Sequence, residues 1–592
     1  MKTQFYKIFQ LEKFNLFIIF LLASAVMLPV LFNGVPQGYD IPHHYQCALT
    51  YRDSILSGDF YPSWTTLRNL GYGSMELRLY PPVSHYVLAL FSLAVNDWHL
   101  ATWLTFTFWW VLGSFGVYLW AREVVPVRYA VFAALAYAVM PYRLNQAYLV
   151  FFYGELAGAA ILPFCFAFLS RLIREQKAIS ASNYKPIKSN PFTINVIGFA
   201  VSYALLILTH LPLTLIVSTA LGVYFLANLQ LNKKYLFGSI FHFATGVFLG
   251  LAASSFFWLK VLQERFLMAK TSVYEDIYLH YQFNFLLTPF QQYNEATVVV
   301  YEVFTLVYDV ILLLTLFMLI PVALLAVISR GASKNQLWKS LWITSIFAFF
   351  LTTPMSKFIW DNFTILQEVQ FPWRWLTIIS LFTPMIFATG CPTLAKWFAN
   401  NKLRPLALIL LGTFFIGASF SLSQSIRGAV YYSPNEVNEY VSKVNQTKGF
   451  IFWWTTWTRK EFLDQSPEKV SANGREVSID KWENTIRNFS VEEGEEGNIR
   501  IATFYHPNWK ATVNNQPVEI RPDQHGAMLI LVESQRANIQ LEFIETFTVK
   551  IAQYFSGFIW SLLLFSFVVL LYKNYRGSTI KFNCQENYEF NH

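Results

Sequence analysis

The sequence predicts a polytopic α-helical membrane protein of about 12–13 spans that carries one small antiparallel β domain outside the cytoplasm. Hydrophobic residues make up 55% of the 592 residues and charged residues only 14%, whereas soluble domains are about a quarter charged. Many apolar runs approach the ~20 residues that a helix needs to cross the hydrocarbon core. One long polar segment, 424–549, interrupts this pattern with short β-branched and aromatic runs.

The distribution of Lys and Arg orients the predicted spans. Basic residues are concentrated in short loops between apolar runs, and such loops face the cytoplasm. The net charge of +8 therefore indicates membrane orientation rather than nucleic-acid binding. Lys2, Lys7 and Lys13 precede the first run, which predicts an uncleaved first span with its N-terminus inside. Placing all basic short loops inside gives spans at 14–33, 99–121, 128–143, 154–171, 193–230 (a hairpin of two spans), 236–257, 303–328, 340–353, 373–390, 405–423 and 550–572.

One apolar run does not fit this alternation. If VSHYVLALFSLAV, residues 83–95, crossed the membrane, every later basic loop would lie outside. We therefore predict a helix that lies in the outer leaflet or dips into it. The resulting organisation is a multi-span domain 1–423 with external loops 34–82 and 258–302, an external β domain 424–549, and a final helix with a cytoplasmic tail, 550–592.

The segment 424–549 has the pattern of strands separated by turns. Its runs GFIFWWTTWT, NIRIATFY, KATV, AMLILV and NIQLEF alternate with turn-forming stretches such as ANGRE and RPDQHG. Asn514 and Asn515, between KATV and PVEI, predict a β-hairpin turn. These features indicate a small antiparallel domain, for which a sandwich is one arrangement. We interpret the aromatic stretch 451–457 as sheet core, with stacking on sugar rings as the alternative.

The first external loop contains the first candidate for chemistry. Asp40 lies a few residues beyond the first span. A carboxylate near hydrocarbon tends to have a raised pKa, which is what a general base needs near neutral pH. The alternative is that Asp40 caps a helix that starts at Ile41 or Pro42. His43 and His44 share a helix face with Asp40, so the three residues offer ligands for a divalent metal, although a solvated polar face is the simpler interpretation.

Polar residues of later segments fall on the same side of the membrane. Glu155 begins one span, His210 lies at the turn of the hairpin, and Arg374 begins another span. Polar groups near hydrocarbon usually have a partner or a task, although a single Glu or His at a helix end is often only a cap. Arg374 can hold a phosphate through two parallel hydrogen bonds. Their convergence predicts a site for a lipid-linked substrate at this face.

Several reaction classes lack their sequence signatures. The chain has no G-x-x-x-x-G-K-[ST] phosphate loop, no G-x-G-x-x-G in a βαβ context, no H-E-x-x-H and no paired CxxC. A transporter usually holds its binding groups near the bilayer midplane, whereas the polar groups here gather at one face. Three further acids of the first loop are interpreted as surface charges: Asp53, Asp59 and Glu76.

The first loop also contains a distinctive succession of motifs: GYD (38–40), SGDFYPSW (57–64) and NLGYGSMELRLYPPVSHYVLAL (69–90). This succession resembles the first loop of GT-C glycosyltransferases, membrane enzymes that use lipid-linked sugar donors. A THLP hairpin (209–212) and a PWR motif (372–374) are similar to those of bacterial 6-pyruvoyl-tetrahydropterin-synthase-related membrane proteins. The stretch 505–520, YHPNWKATVNNQPVEI, resembles large bacterial membrane proteins that modify surface polymers.

The resemblance implies a GT-C-like fold and a reaction. In such enzymes an acid of the first external loop takes a proton from the acceptor hydroxyl, which attacks the anomeric carbon of the sugar as the lipid phosphate leaves. By this resemblance the catalytic carboxylates would be Asp40, as the general base, and Glu155. The residues that bind substrate would be His43, His44, His210 and Arg374.

The implied partners are a lipid-linked sugar donor, a glycan or protein acceptor and membrane lipid, with no nucleic acid. The predicted location is the bacterial plasma membrane, with both termini in the cytoplasm. A divalent metal is an open question from the sequence. Two rival functions are a flippase or transporter of lipid-linked glycans and a non-catalytic polymer-assembly protein.

Overall fold

The computed structural model of the chain describes residues 2–181, 192–229, 233–269, 280–288, 306–318, 336–446, 453–459 and 467–589. Most of this part is helical. The helices, in chain order, are α1 (Lys2–Val26), α2 (Leu28–Asn33), α3 (Ile41–Leu56), α4 (Glu76–Leu79), α5 (Val83–Val95), α6 (Trp98–Ala121), α7 (Val127–Ala138), α8 (Pro141–Tyr148), α9 (Tyr153–Ala181), α10 (Ile194–Ile207), α11 (Leu211–Asn228), α12 (Lys233–Ala253), α13 (Ser255–Glu264), α14 (Leu306–Met318), α15 (Gln336–Thr352), α16 (Lys357–Asn362), α17 (Thr364–Gln367), α18 (Leu376–Ala399), α19 (Arg404–Gly428), α20 (Pro434–Lys443) and α21 (Phe547–Glu589).

The chain is an integral membrane protein, because eight helices of the described residues are long and apolar enough to cross a membrane. A further pair, Leu337–Thr352 and Pro354–Asn362, passes the same test together but is bent by 90°. The eight are Glu12–Asn33, Trp98–Ala121, Tyr153–Lys177, Leu211–Asn228, Leu236–Ala253, Pro372–Ala399, Arg404–Gly428 and Phe547–Lys573.

Most predicted spans fall on helices, but the span 128–143 is divided between α7 and α8, and only 306–318 of the span 303–328 lies in the described residues. Some of the helices are short. Helices α7 and α10 and the described part of α14 have only 10–17 residues. Helix α5 has 13 residues, or ~20 Å of length at 1.5 Å per residue, against a hydrocarbon core of ~30 Å. This length agrees with the prediction that residues 83–95 do not form a full span. Most of the predicted loop 258–302 lies outside the described residues, namely 270–279 and 289–302.

Helices α9 and α18 form the centre of the helical bundle. Of the 18 consecutive residues that make each of these helices apolar enough to span, 83% are buried inside the protein. The corresponding share in the last span, on α21, is only 17%. Small residues on α9 permit close approach: a Cβ added at Gly158 would lie 2.7 Å from a methyl group of Leu213 on α11. The N-terminal ends of α9, α11 and α18 are therefore held close together.

The C-terminal part contains a β sandwich, which confirms the predicted antiparallel domain. One sheet has the order β3-β6-β10-β9 and the other β4-β5-β11-β7-β8, and all pairings are antiparallel. Its strands are β3 (Val470–Ser471), β4 (Val477–Trp482), β5 (Ile486–Val491), β6 (Gly497–Phe504), β7 (Trp509–Val513), β8 (Gln516–Val518), β9 (Arg521–Pro522), β10 (Ala527–Val532) and β11 (Ala537–Phe543). A separate pair, β1 (Val35–Pro36) and β2 (Tyr431–Tyr432), joins the ends of α2 and α19.

Two details of the sandwich bear on the sequence predictions. Asn514 and Asn515 have φ angles of 49° and 66° and connect β7 to β8, so the predicted hairpin turn is confirmed. Residues 449–452 of the predicted strand GFIFWWTTWT lie outside the described residues, and its remaining residues, 453–458, belong to neither sheet. Within that stretch Trp454 is buried in the sandwich core.

The first loop inserts into the sandwich rather than standing apart from it. Trp64, Tyr72 and Met75 are buried in the same apolar cluster as residues of both sheets. The backbone carbonyl of Tyr72 accepts a hydrogen bond of 2.8 Å from the Phe504 amide. The loop between α3 and α5 and the β sandwich therefore share one core.

A buried ion network, which we call the Arg78 network, ties this shared core to the helical bundle. Arg78 on α4 is fully buried and pairs with Glu264 at the end of α13 and with Glu545 just before α21. Its Nη2 atom lies 2.7 Å from Glu545 Oε2, and Lys260 Nζ lies 3.4 Å from the same carboxylate. His506 of the sandwich lies 3.7 Å from Glu264. Four separate segments of the chain thus meet at one guanidinium.

We predict that Arg78→Met strongly destabilises the protein. The substitution leaves two buried carboxylates without their main partner, and breaking a buried ion pair typically costs about 3–5 kcal/mol. Arg521→Met is the matched control, because Arg521 pairs with Glu519 on the exposed surface, where such pairs contribute about 0–1 kcal/mol. Thermal unfolding of the detergent-solubilised protein, followed by tryptophan fluorescence, measures both. Equal melting temperatures would contradict a central role for the network.

The Arg78 network also predicts loss of stability in acid. Burial raises the pKa of Glu264 and Glu545, but hydrogen bonds from Arg78 outweigh it and lower both pKa values to about 2 from 4.5. A depressed carboxylate pKa contributes stability that is present above the unfolded value and is lost as the pH falls toward the folded value. The melting temperature should therefore fall between pH 4.5 and about 2. The same slope should be smaller in Glu545→Gln.

Candidate active site

The predicted site residues lie at the starts of four helices. Asp40 is the residue before α3, Glu155 is near the start of α9, His210 precedes α11, and Arg374 lies in the 3₁₀ turn Pro372–Trp375 before α18. The N-terminal end of a helix carries a partial positive charge and exposed N–H groups. Several such ends facing one place favour a negatively charged ligand.

Asp40 occupies a cap position without acting as a cap. Its side chain makes no capping hydrogen bond, although its backbone carbonyl accepts one from the His44 amide at 3.1 Å. The alternative that the carboxylate serves as a helix cap is therefore wrong. Burial raises the pKa of Asp40, while His43 and Arg374 oppose this rise. The carboxylate is thus half-buried, lies within electrostatic reach of His43 and Arg374 and, in the described part of the chain, makes no side-chain hydrogen bond.

Glu155 and Arg374 form a buried pair at the centre of the bundle. Arg374 Nε lies 3.6 Å from Glu155 Oε2. The other carboxylate oxygen accepts hydrogen bonds from Tyr142 (2.6 Å) and Thr377 (2.8 Å). Arg374 also donates from Nη1 to the Val369 carbonyl at 2.8 Å. Glu155 Oε2, by contrast, has only this ion-pair contact and no hydrogen bond among the described residues, and the Arg374 side chain is 11% exposed.

His210 has one ring nitrogen occupied by the helix that follows it. Nδ1 accepts a hydrogen bond of 3.1 Å from the Leu213 amide, so the capping interpretation of this residue is confirmed. An accepting Nδ1 in a neutral ring places the proton on Nε2. The ring packs beside Gly154, where an added Cβ would lie 3.2 Å from His210 Cδ2 and 2.6 Å from the hydroxyl of Tyr80. His210 therefore presents a neutral N–H donor near the start of α9.

His43 and His44 do not form a solvated face, because both are buried. His43 Nδ1 contacts the carboxylate of Glu76, and Glu76 in turn pairs with Arg68 Nη1 at 2.6 Å. Glu76 was expected as a surface charge, and this prediction is wrong, since its exposed fraction is 1%. Burial raises the pKa of Glu76, but Arg68 and His43 outweigh it and lower that pKa below its ordinary value. Trp453 stacks on the His43 ring at 5.9 Å between centroids.

One residue of the cluster was missed in the sequence. His85 on α5 is buried, and its Nε2 lies 3.0 Å from His44 Nδ1. The signal was present, because a histidine inside the otherwise apolar run 83–95 is costly unless it has a partner. Among the described residues, two groups of side chains have ligand atoms close enough together to bind a metal ion: His43–His44–His85 and His43–Cys47–Glu76. Neither group includes Asp40. The combination of Asp40 with the two adjacent histidines is therefore not the one the structure forms.

Asp53 and Asp59 lie away from these residues on the far end of the first loop. Asp53, on α3, is exposed as expected, and Asp59 is half-buried and accepts a hydrogen bond from the Tyr61 amide at 3.2 Å.

Comparisons with known proteins find fold likeness only. Neither a protein-family model nor a curated protein sequence matches the chain. It is similar to the Archaeoglobus fulgidus oligosaccharyltransferase tethered with an acceptor peptide (13% identity, TM-score 0.43, 74% of this chain and 59% of that chain). It is also similar to the mycobacterial arabinofuranosyltransferase AftD (14%, 0.44, 70% and 26%) and to Cupriavidus metallidurans ArnT bound to undecaprenyl phosphate (13%, 0.35, 72% and 75%). The chain spans less than two thirds of the first two proteins, and the resemblance to pterin-synthase-related proteins stays a prediction.

Gly38→Ala tests the packing that brings Asp40 to the start of α9. A Cβ at Gly38 would lie 2.4 Å from the Val150 carbonyl oxygen and 2.5 Å from Phe151 Cβ, so the backbone must shift. We predict a loss of about 1–3 kcal/mol from this overpacking. Gly222→Ala on α11 is the control, because nothing lies within 4 Å of its added Cβ. Thermal unfolding in detergent should show a lower melting temperature for Gly38→Ala alone, and equal values would refute the close approach.

Proposed function

We propose that this chain is a membrane glycosyltransferase that moves a sugar from a polyprenyl-phosphate-linked donor to an acceptor outside the cytoplasm, with Asp40 as general base. One observation carries the proposal: a carboxylate that caps no helix, Asp40, lies within electrostatic reach of the guanidinium of Arg374. Transfer of a sugar from a phosphate needs a base for the acceptor and positive groups for the leaving phosphate. The cytoplasmic position of both termini is inferred from the Lys and Arg distribution, and the bacterial plasma membrane from the resemblance to bacterial membrane proteins.

In the proposed step Asp40 takes the proton of an acceptor hydroxyl. The acceptor oxygen forms a bond to the anomeric carbon of the donor sugar, and the bond from that carbon to the phosphate oxygen breaks. Polyprenyl phosphate leaves with the bonding electrons, and the proton remains on Asp40. The raised pKa of Asp40 supports this role, because a base with a pKa nearer neutrality is the better proton acceptor. General-base assistance typically contributes ~10²–10⁴ in rate.

The leaving phosphate would lie between Arg374 and His210. Arg374 keeps part of its guanidinium exposed while Glu155 and the Val369 carbonyl fix its direction. His210 adds a neutral N–H donor, and the starts of α9 and α11 add partial positive charge. Together these groups stabilise negative charge that develops on the phosphate. In this proposal Glu155 positions Arg374 through their ion pair, while its Oε1 is held by Tyr142 and Thr377.

The sugar would lie against the aromatic wall formed by Trp453 and Tyr80. Trp453 is half-buried, stacks on His43 and lies edge-on to Tyr80 at 5.9 Å between centroids. Its neighbour Trp454 is buried and donates to Asn69 at 2.9 Å. Trp454 thus agrees with the core interpretation of the aromatic stretch, and we assign the alternative, contact with a sugar, to Trp453. Trp453 contacts the proposed donor site, and its neighbour Trp454 lies in the sandwich core, so these two residues connect the two regions.

Asp40→Asn tests the proposed base. The amide keeps the size of the side chain but cannot take the proton, so transfer of radiolabelled sugar from polyprenyl-phosphate donors in membranes should fall at least a hundredfold, within the ~10²–10⁴ that a base contributes. Asp53→Asn is the matched control, because Asp53 is an exposed carboxylate on α3, the helix that begins directly after Asp40. Its activity should equal that of the wild type at matched expression.

Other outcomes of this experiment separate the rival functions. Transfer that persists in Asp40→Asn would keep the enzyme and remove Asp40 from the role. Absence of transfer with every polyprenyl-phosphate sugar tried would contradict the proposal and favour the flippase or the polymer-assembly protein. A flippase would then move the same lipid-linked sugar across proteoliposome membranes, which a polymer-assembly protein would not do.

A further inference from the structure

The strongest group outside the proposed reaction is a cluster of three buried histidines, which we call the histidine cluster: His43 and His44 of α3 and His85 of α5. Their exposed fractions are 4%, 1% and 1%. Each offers one ring nitrogen, and these nitrogens all lie within 4.8 Å of one another. Three imidazoles meeting away from water need an explanation, because each brings polar atoms into an apolar environment.

In two of these rings, His43 and His85, one ring nitrogen contacts a hydrogen-bond acceptor outside the cluster. His43 contacts Glu76 through Nδ1, and the ring of His85 donates a hydrogen bond to the backbone carbonyl of Pro81. In a neutral His85 that bond uses the single ring proton, so the nitrogen that faces His44 carries a lone pair. Histidines that ligate a metal almost always show this arrangement, in which the second nitrogen donates to a carboxylate or a carbonyl.

His44 cannot satisfy both of its nitrogens with the groups around it. Nδ1 faces His85 Nε2 at 3.0 Å, and Nε2 is buried without a hydrogen-bond partner among the described residues. A proton on Nδ1 leaves a bare lone pair on Nε2, and a proton on Nε2 leaves two lone pairs facing each other. The second arrangement, with two lone pairs facing each other away from water, is the one that a cation between His44 Nδ1 and His85 Nε2 would stabilise.

The spacing of the facing nitrogens fits a metal ion. Two nitrogens bound to zinc at about 2.0–2.1 Å in a tetrahedral arrangement lie about 3.3 Å apart. The observed separation of His44 Nδ1 and His85 Nε2 is 3.0 Å. The surrounding rings exclude water: Tyr153 lies 5.3 Å from His44 and Tyr80 lies 5.1 Å from His85, centroid to centroid.

The second metal-type group, His43–Cys47–Glu76, is a poorer candidate. Arg68 pairs with Glu76 at 2.6 Å and donates to Cys47 Sγ at 3.3 Å, so a cation is already present at both ligands. Thiolate, not thiol, binds zinc, and burial raises the pKa of Cys47 well above its ordinary value. Glu76 therefore serves to orient His43 rather than to bind an ion itself.

We propose that His43, His44 and His85 bind one divalent transition-metal ion, for which zinc is the best match. Imidazole nitrogens are common ligands of zinc and other transition metals, whereas magnesium and calcium bind oxygen ligands. Three neutral ligands leave the ion with its full charge and a fourth position, the arrangement typical of zinc sites that keep a place for an exogenous ligand. The proposal stands on the histidine cluster alone and does not depend on the transferase activity.

The test is the metal content of the full-length protein, purified in detergent through an affinity tag that contains no histidine. After incubation with zinc and removal of the excess, the wild type should hold about one zinc per chain, as expected for a single three-histidine site. His44→Ala and His85→Ala should hold at least tenfold less, given that even outer partners of a metal site change affinity by ~10–100-fold. His99→Ala is the matched control, since His99 is also buried but, among the described residues, is hydrogen-bonded to the Val30 carbonyl and belongs to neither candidate metal group.

X-ray absorption on the zinc-loaded wild type keeps the proposal testable if a variant fails to fold. Imidazole nitrogens at about 2.0–2.1 Å with no sulfur in the first shell are expected. A wild type without stoichiometric zinc overturns the proposal. Zinc that is retained in both His44→Ala and His85→Ala, or a first shell without imidazole, overturns it as well.

Discussion

The burial of one guanidinium, Arg78, constrains more of this molecule than any other single interaction described. A buried cation in an apolar core is costly unless carboxylates compensate it with good geometry, and Glu264 and Glu545 meet that need from two distant segments. Helix α13, the segment before α21 and the first loop must therefore arrive at one point. The β sandwich is fixed there too, through His506 and through the aromatic residues it shares with the loop.

The first loop performs two tasks with two buried arginines. Arg78 joins the loop to the sandwich and the last helix, while Arg68 pairs with Glu76 and thereby fixes His43. Both arginines are fully buried, so neither can move without exposing a partner to an apolar environment. The candidate site and the sandwich are consequently positioned by one continuous stretch of chain, and a change in the packing of one is transmitted to the other.

The sequence predicted the features that depend on local pattern or on membrane physics. The lengths of the apolar runs predicted the helices, and the pair Asn514–Asn515 predicted a hairpin. The distribution of basic loops predicted that four polar residues share one face: Asp40, Glu155, His210 and Arg374. Features that depend on remote partners were not predictable. Glu76 was predicted to be exposed because its pairing with Arg68 depends on the folding of the loop, and His85 was missed because its partner His44 lies 41 residues away. The sequence pattern shows which polar residues cost free energy when they are buried, but it does not show which of them come into contact in the fold.

The sequence separation of the Arg78 contacts has a consequence for biosynthesis. Glu264 follows Arg78 by 186 residues and Glu545 by 467 residues. At a synthesis rate of about 5–20 residues per second, the second carboxylate emerges roughly 20–90 s after the arginine. Until then Arg78 has at most one of its two carboxylate partners, Glu264. The nascent chain must therefore keep the first loop near water while most of its spans insert, and the last helix completes the assembly.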